Sequence, residues 1–173
     1  RKGWKEGLIT TLKQREASAP IENAGWAALA CDAKLPVADA RSCEYVPVRL
    51  DGTFRYDDER HVFTSGGPST GGRPGYLIMT PLEFRSGAQN LQIYVNRGFV
   101  PEGSKNPSQR AAGQIAGIVQ VSGLLRIAEP KATFTPEPDR AANRYYLRDP
   151  STFIDKPDAF ASAGVDSMRY YID

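Results

Sequence analysis

A chain of 173 residues is long enough to bury a core without staples and too short for a multidomain machine. Its 40% hydrophobic and 24% charged content lies near the globular norm, which excludes wholesale disorder. The 22 Lys and Arg against 20 Asp and Glu leave +2, with the basic residues scattered, so the chain offers no electrostatic footprint for nucleic acid. No apolar run approaches the roughly 18–20 residues a spanning helix needs.

Residues 2–16 read as an amphipathic helix, because Trp4, Leu8 and Leu12 recur at four-residue spacing beside Ile9, with Lys5, Lys13 and Gln14 elsewhere. The Ala-rich stretch 21–31, carrying Trp26 and Leu29, predicts a second short helix entered through the turn at Pro20. From Glu44 the period changes to two. Val46, Val48, Leu50, Phe54 and Tyr56 share one parity, and Arg49, Asp51 and Arg55 the other, which is the pattern of a half-buried strand. Further strands are predicted at 60–64, 75–85, 90–100 and 115–127, the last bent or bulged at Gly123. A segment at 143–148, a short helix at 150–160 and a final strand at 168–173 follow.

Short connections favour antiparallel neighbours. The fold class is therefore mainly β (α+β): a small antiparallel barrel or sandwich in one domain, 1–173, with peripheral helices at the N-terminus and near residue 155. Two stretches, 65–75 with five glycines and the polar 103–113, are expected as surface loops.

The chemistry on offer is sparse. Cys31 and Cys43 stand twelve positions apart with no CxxC, a poor metal framework that leaves either a disulfide or two free thiols. His61 is the sole histidine and follows Asp57, Asp58 and Glu59; no G-x-S-x-G elbow accompanies it, so it reads as a half-exposed packing residue rather than a catalyst. The Gly-rich loop lacks the G-K-[ST] ending of a phosphate loop. No catalytic residue and no metal ligand is assigned. The most unusual segment is Val95-Asn96-Arg97-Gly98-Phe99-Val100-Pro101. Arg97 shares parity with Leu91, Ile93 and Val95, so an unbroken strand sends its guanidinium inward, where it needs a partner; a bulge at Gly98 would turn it outward.

This segment resembles the V-N-R-G-[WF]-V-P signature of the Surfeit locus protein 1 family, cytochrome c oxidase assembly factors known in yeast as Shy proteins. Trp4-Lys5, Leu8-Ile9, Arg15 and Pro20 are similar to the family's opening, and Val48-Arg49-Leu50-Asp51-Gly52-Thr53-Phe54 to its V-x-L-x-G-x-F strand. Gly75-Tyr76, Thr80-Pro81-Leu82, Gly123-Leu124-Leu125-Arg126 and Tyr145-Tyr146 to Asp149 continue in family order, although the Trp that many members carry near Arg144-Tyr145 is missing.

The resemblance implies a domain between two transmembrane helices, one before residue 1 and one after residue 173. It would be held at the inner membrane and face the periplasm or the mitochondrial intermembrane space. It implies assistance in delivering haem a to cytochrome c oxidase subunit I, with that subunit and the haem a synthase as partners. The family's haem-linked histidine lies in the second membrane helix and has no counterpart here, so no haem ligand is assigned to His61. Under this reading Arg97 anchors an ion pair or meets haem propionates, with Asn96 beside it in the same motif. Gly52 and Gly98 permit bulges or close backbone approach, and Pro101 ends its strand by withholding a donor. A rival expectation is a periplasmic barrel binding a lipid or small apolar ligand, for which eight Tyr and seven Phe could line a pocket.

Overall fold

The computed structural model describes residues 10, 12–106, 110, 113–155, 160 and 165–173. Among them lie seven strands: β1 (Ile21–Glu22), β2 (Pro47–Phe54), β3 (Arg60–Thr64), β4 (Gly75–Ser86), β5 (Gln89–Pro101), β6 (Val119–Ile127) and β7 (Tyr170–Ile172). They form one sheet in the order β1-β2-β6-β7-β5-β4-β3, and an additional β2–β4 pairing closes β2, β6, β7, β5 and β4 into a five-stranded barrel. Of the two expected architectures, the barrel is the one adopted.

Strand alternation builds the interior. In β2, Val48 and Leu50 are buried while Asp51 is exposed, and Leu50 meets Trp26, Leu82, Ile93, Leu125 and Tyr170, all 0% exposed, inside the barrel. Trp26 packs edge-on against Phe84 with ring centres 5.0 Å apart. Such an aromatic pair contributes about 0.5–1.5 kcal/mol beyond burial alone. A second core, on the other face of β3, β4 and β5, gathers Val62, Met79, Tyr94, Tyr145, Phe153 and Tyr171. Residues 143–148 form no strand of their own. Tyr145 lies against β3 instead, its N–H donating to the His61 carbonyl and its carbonyl accepting from Phe63 N–H.

One edge of β4 serves two strands. β3 pairs with residues 75–79 and β2 with residues 82–84, and the chain passes from β2 to β3 through a 3-10 turn at Tyr56–Asp58. Gly52 sits at the crossing, paired with Val119 on one side and Phe84 on the other. A Cβ there would lie 2.4 Å from the Glu83 carbonyl oxygen, so the seam admits only glycine. Gly123 likewise marks a close approach, to Asp173, rather than the expected bend: β6 runs through it in unbroken register with β2.

The helix expected at 21–31 is not formed. Ile21 and Glu22 pair in parallel with Val48 and Arg49, and Asn23–Ala28 make a 3-10 helix. The tighter turn drops Trp26 into the barrel, so tertiary burial overrides Ala-rich helix propensity. Thr10 and residues 12–17 are helical, and the rest of the expected 2–16 helix lies outside the described residues. Near residue 155 the helix is a single turn, Pro150–Phe153, capped by Asp149, whose carboxylate accepts from Ser151 N–H. The expectation of helix at 156–159 also falls outside the described residues.

Cys31 and Cys43 are joined by a disulfide, their Cα atoms 5.4 Å apart. The loop it closes is a hub: Cys43 N–H donates to Tyr170 Oη at 3.1 Å, and Arg15 donates to the Asp39 and Glu44 carbonyls at 2.7 and 3.0 Å. A cross-link over a loop of this length is expected to contribute about 3 kcal/mol. Urea unfolding with and without reductant checks it. A midpoint that does not move on reduction would mean the loop is held by Tyr170 and Arg15 alone.

Candidate functional site

The signature segment lies on β5 opposite the place where β4 exchanges β2 for β3. Register shifts there by one residue, so that Arg97 and Gly98 together face Ile78. Gly98 takes φ +107°, the backbone of a bulge. Asn96 builds the bulge from its side chain: its Oδ1 accepts from Gly98 N–H at 2.9 Å, and its Nδ2 donates to Asp173 Oδ1 at 2.8 Å. Because the extra residue is Gly98, Arg97 still follows the parity of Leu91, Ile93 and Val95. Bulge and inward arginine, expected as alternatives, coexist. Pro101 closes β5 opposite Gly75 and leads into a 3-10 turn at Glu102–Ser104.

Arg97 points at a buried carboxylate. Glu59, whose side chain is 2% exposed, receives Arg97 Nη1 at 3.5 Å and Arg110 Nη2 at 2.9 Å. Arg110 Nη1 reaches the other Glu59 oxygen at 3.2 Å, making a two-pronged pair. His61 Nε2 lies 2.7 Å from Glu59 Oε2. Burial alone would raise the Glu59 carboxyl, but hydrogen bonds from His61 and Arg110 outweigh it and hold the group below the usual carboxylate range. One carboxylate thus collects three basic groups from β3, β5 and the loop after β5. His61 is buried, not half-exposed as expected: its ring sits against the carboxylate of Glu59, the residue just before β3.

Aromatic rings complete the surroundings. The Arg97 guanidinium stands 5.2 Å from the Phe54 ring centre and 4.9 Å from that of Tyr56, and donates to the Gly113 carbonyl at 2.5 Å. Lys105 lies 4.5 Å over Tyr76, and Arg144 4.4 Å over Phe63. Cation–π contact of this kind supports a charge where water is scarce.

Of the residues singled out in the sequence, the structure brings His61, Asn96, Arg97 and Gly98 to this cluster. Gly52 belongs to the barrel seam, Pro101 ends β5, and the Cys31–Cys43 disulfide closes the loop before β2. Sequence reasoning missed Glu59, Arg110, Lys105 and Arg144. Glu59 carried a faint signal, standing two positions before His61 in an alternating strand, but the preceding Asp57 and Asp58 gave it the look of an exposed acidic turn. No group of three or more potential metal ligands occurs among the described residues.

The family model described as the SURF1 family matches residues 1–167. The chain belongs to the SURF1 family. It is 35% identical over 160 residues to a SURF1-like protein of Monosiga brevicollis, covering 86% of this chain and 55% of that protein. It is 30% identical over 163 residues to Surfeit locus protein 1 of Homo sapiens, covering 86% and 50%. A SURF1-like protein of Drosophila melanogaster is 32% identical over 162 residues, covering 86% and 49%. The chain therefore spans about half the length of the SURF1 relatives it matches. The match takes in the whole barrel up to the loop before β7, including the β2 seam and the β5 bulge.

Proposed function

We propose that this domain is the extramembrane part of an assembly factor for haem–copper cytochrome c oxidase and assists delivery of haem a to subunit I. The supporting observation is the family membership over residues 1–167, together with a signature segment folded into a buried ion cluster. In this reading flanking membrane helices hold the haem at the inner membrane. The barrel faces the periplasm or the mitochondrial intermembrane space and docks on subunit I or the haem a synthase. The domain's own residues give that work a rigid surface. Arg97 is tied to Glu59 and Gly113, which makes it a positioning residue for the loop after β5.

The barrel interior is filled by Trp26, Leu50, Leu82, Ile93 and Leu125, all fully buried, which favours docking over a container for a small apolar ligand. Haem a titration of this chain beside a version carrying both membrane helices tests the reading. Only the anchored version is expected to give a ligand-dependent visible spectrum, and a host lacking the gene should lose haem a from its oxidase. Unchanged oxidase activity and haem a content in that host would overturn the proposal.

A further inference from the structure

The segment that leads from the disulfide into β2 carries a strained residue. Val46 N–H donates to the Cys43 carbonyl at 3.1 Å, which closes a four-residue turn over Cys43–Val46. Tyr45 stands at its third position with φ +66°, and Glu44 does not share the positive φ. That is the type II pattern, in which the third position favours glycine. A bulky side chain stays in this region only where its surroundings dictate the backbone. They do so from two sides. Strand β6 grips the end of the turn: Tyr45 N–H donates to the Leu125 carbonyl at 2.7 Å, and the Glu44 carboxylate accepts from Arg126 Nε at 2.8 Å and from Ile127 N–H. The start of the turn is fixed by the bond from Cys43 to Cys31 and by Tyr170 Oη, which accepts from Cys43 N–H.

The same turn seats the N-terminal helix. Arg15, in the helical residues 12–17, donates through Nη1 to the Glu44 carbonyl at 3.0 Å and through Nη2 to the Asp39 carbonyl at 2.7 Å. One acceptor lies inside the disulfide loop and the other in the strained turn, so the fork fits only while both keep their places. Among the described residues of 12–17, no other side chain hydrogen-bonds to the rest of the domain. The β2–β6 ladder, by contrast, starts at Pro47 with Leu124 and contains neither cysteine.

We propose that the Cys31–Cys43 disulfide is a redox-sensitive latch for the N-terminal helix, opened by a dithiol reductant of the thioredoxin type. Cys31 is half-buried and Cys43 is 4% exposed, so the attack falls on Cys31. A thiolate of the reductant bonds to Cys31 Sγ, the S–S bond breaks, and Cys43 Sγ leaves as a thiolate that takes up a proton. The second thiol of the reductant then displaces Cys31. Two electrons have passed to the protein, which holds two thiols, and the reductant has become a disulfide. Tyr45 relaxes out of the left-handed region, the Glu44 and Asp39 carbonyls part, and Arg15 lets the helix go while the barrel stays closed. The latch goes beyond the assembly reading and does not depend on it.

Equilibrating this chain in mixtures of reduced and oxidised dithiothreitol, with free thiols alkylated and counted by mass, gives the equilibrium constant for reduction. Reduction is expected without denaturant. Tyr45→Gly should lower that constant about fivefold, the strain of one left-handed residue less the flexibility glycine brings to the reduced state. Tyr45→Ala, which keeps the strain and removes the ring, should leave it unchanged. Backbone ¹H–¹⁵N NMR locates the response: on reduction the amide signals of Glu16 and Ala17 should become those of a mobile segment, whereas Leu50 and Val121 keep their positions. Arg15→Gln should free the same helix signals in the oxidised chain. Loss of the whole dispersed spectrum on reduction, helix signals that ignore reduction, or a constant in Tyr45→Gly within twofold of wild type would each reduce the disulfide to a plain cross-link and overturn the proposal.

Discussion

Glu59→Gln is expected to destabilise the domain by about 3–5 kcal/mol, the range for removing one partner of a buried ion pair. The amide keeps the shape but leaves Arg97 and Arg110 facing each other across a site with a 2% exposed centre. Urea unfolding at neutral pH reads the loss as a lower midpoint at unchanged slope. The pH dependence carries a second signature. The Glu59 carboxyl is held below its ordinary value in the folded state, so its stabilising contribution is fully present above the unfolded carboxylate value of about 4.3 and is lost as the pH falls through the lower folded value. The wild-type chain should therefore lose stability below about pH 4 more steeply than Glu59→Gln, and the gap between them should narrow with acid. A neutral-pH difference under about 1 kcal/mol, as for exposed pairs, would mean that solvent already screens the cluster.

The second large effect is expected at Gly52. A methyl group there lies 2.4 Å from the Glu83 carbonyl oxygen, an overlap, and in tight contact with side chains at 3.0 Å from Leu82 and 3.1 Å from Phe84. Backbone cannot rotate aside as a flexible side chain would, so the β2–β4 seam must open. Gly52→Ala should cost about 3 kcal/mol, the upper end of overpacking, and Gly52→Val more. Amide exchange distinguishes a local opening from global weakening, because protection should fall first across the Gly52–Phe54 pairing with β4. Gly98→Ala is the contrasting case. Its φ of +107° strains any L side chain, yet nothing lies within 4 Å of the added carbon, so about 1–2 kcal/mol is expected from backbone strain alone. Equal costs at the two glycines would contradict this division between steric contact and strain.

The strands were legible because two-residue alternation is written locally: β3 has the expected bounds, and β4 and β5 extend theirs by one residue at one or both ends. Closure of the barrel was not, since the Gly52–Phe84 contact joins residues that no local pattern relates. The helix misread at 21–31 shows the weakness of propensity in a short segment. Ala-rich composition favoured a helix, but pairing of Ile21 with Val48 and burial of Trp26 decided otherwise. At the site, Arg97 was found because a charge at an inward position of a strand is an anomaly. Its partner Glu59 was hidden, because an acidic residue after two aspartates is ordinary. Arg110 and Lys105 lie in a polar loop whose sequence carries no period, and only the fold brings Arg110 to the Glu59 carboxylate and Lys105 over the Tyr76 ring.

The strand order has a consequence for how the molecule comes into being. β7 is three residues long, lies at 170–172, and sits between β5 and β6, its ladder with β5 resting on a single residue pair, Val95 with Ile172. Until those residues emerge from the ribosome, the barrel cannot close, and the inner edges of β5 and β6 remain unpaired templates for other strands. Completion also waits on contacts between distant parts of the chain, such as Pro47 with Leu124, which makes closure a late and slow event. A nascent chain of this kind gains from a holdase that shields the open strands until β7 has been made.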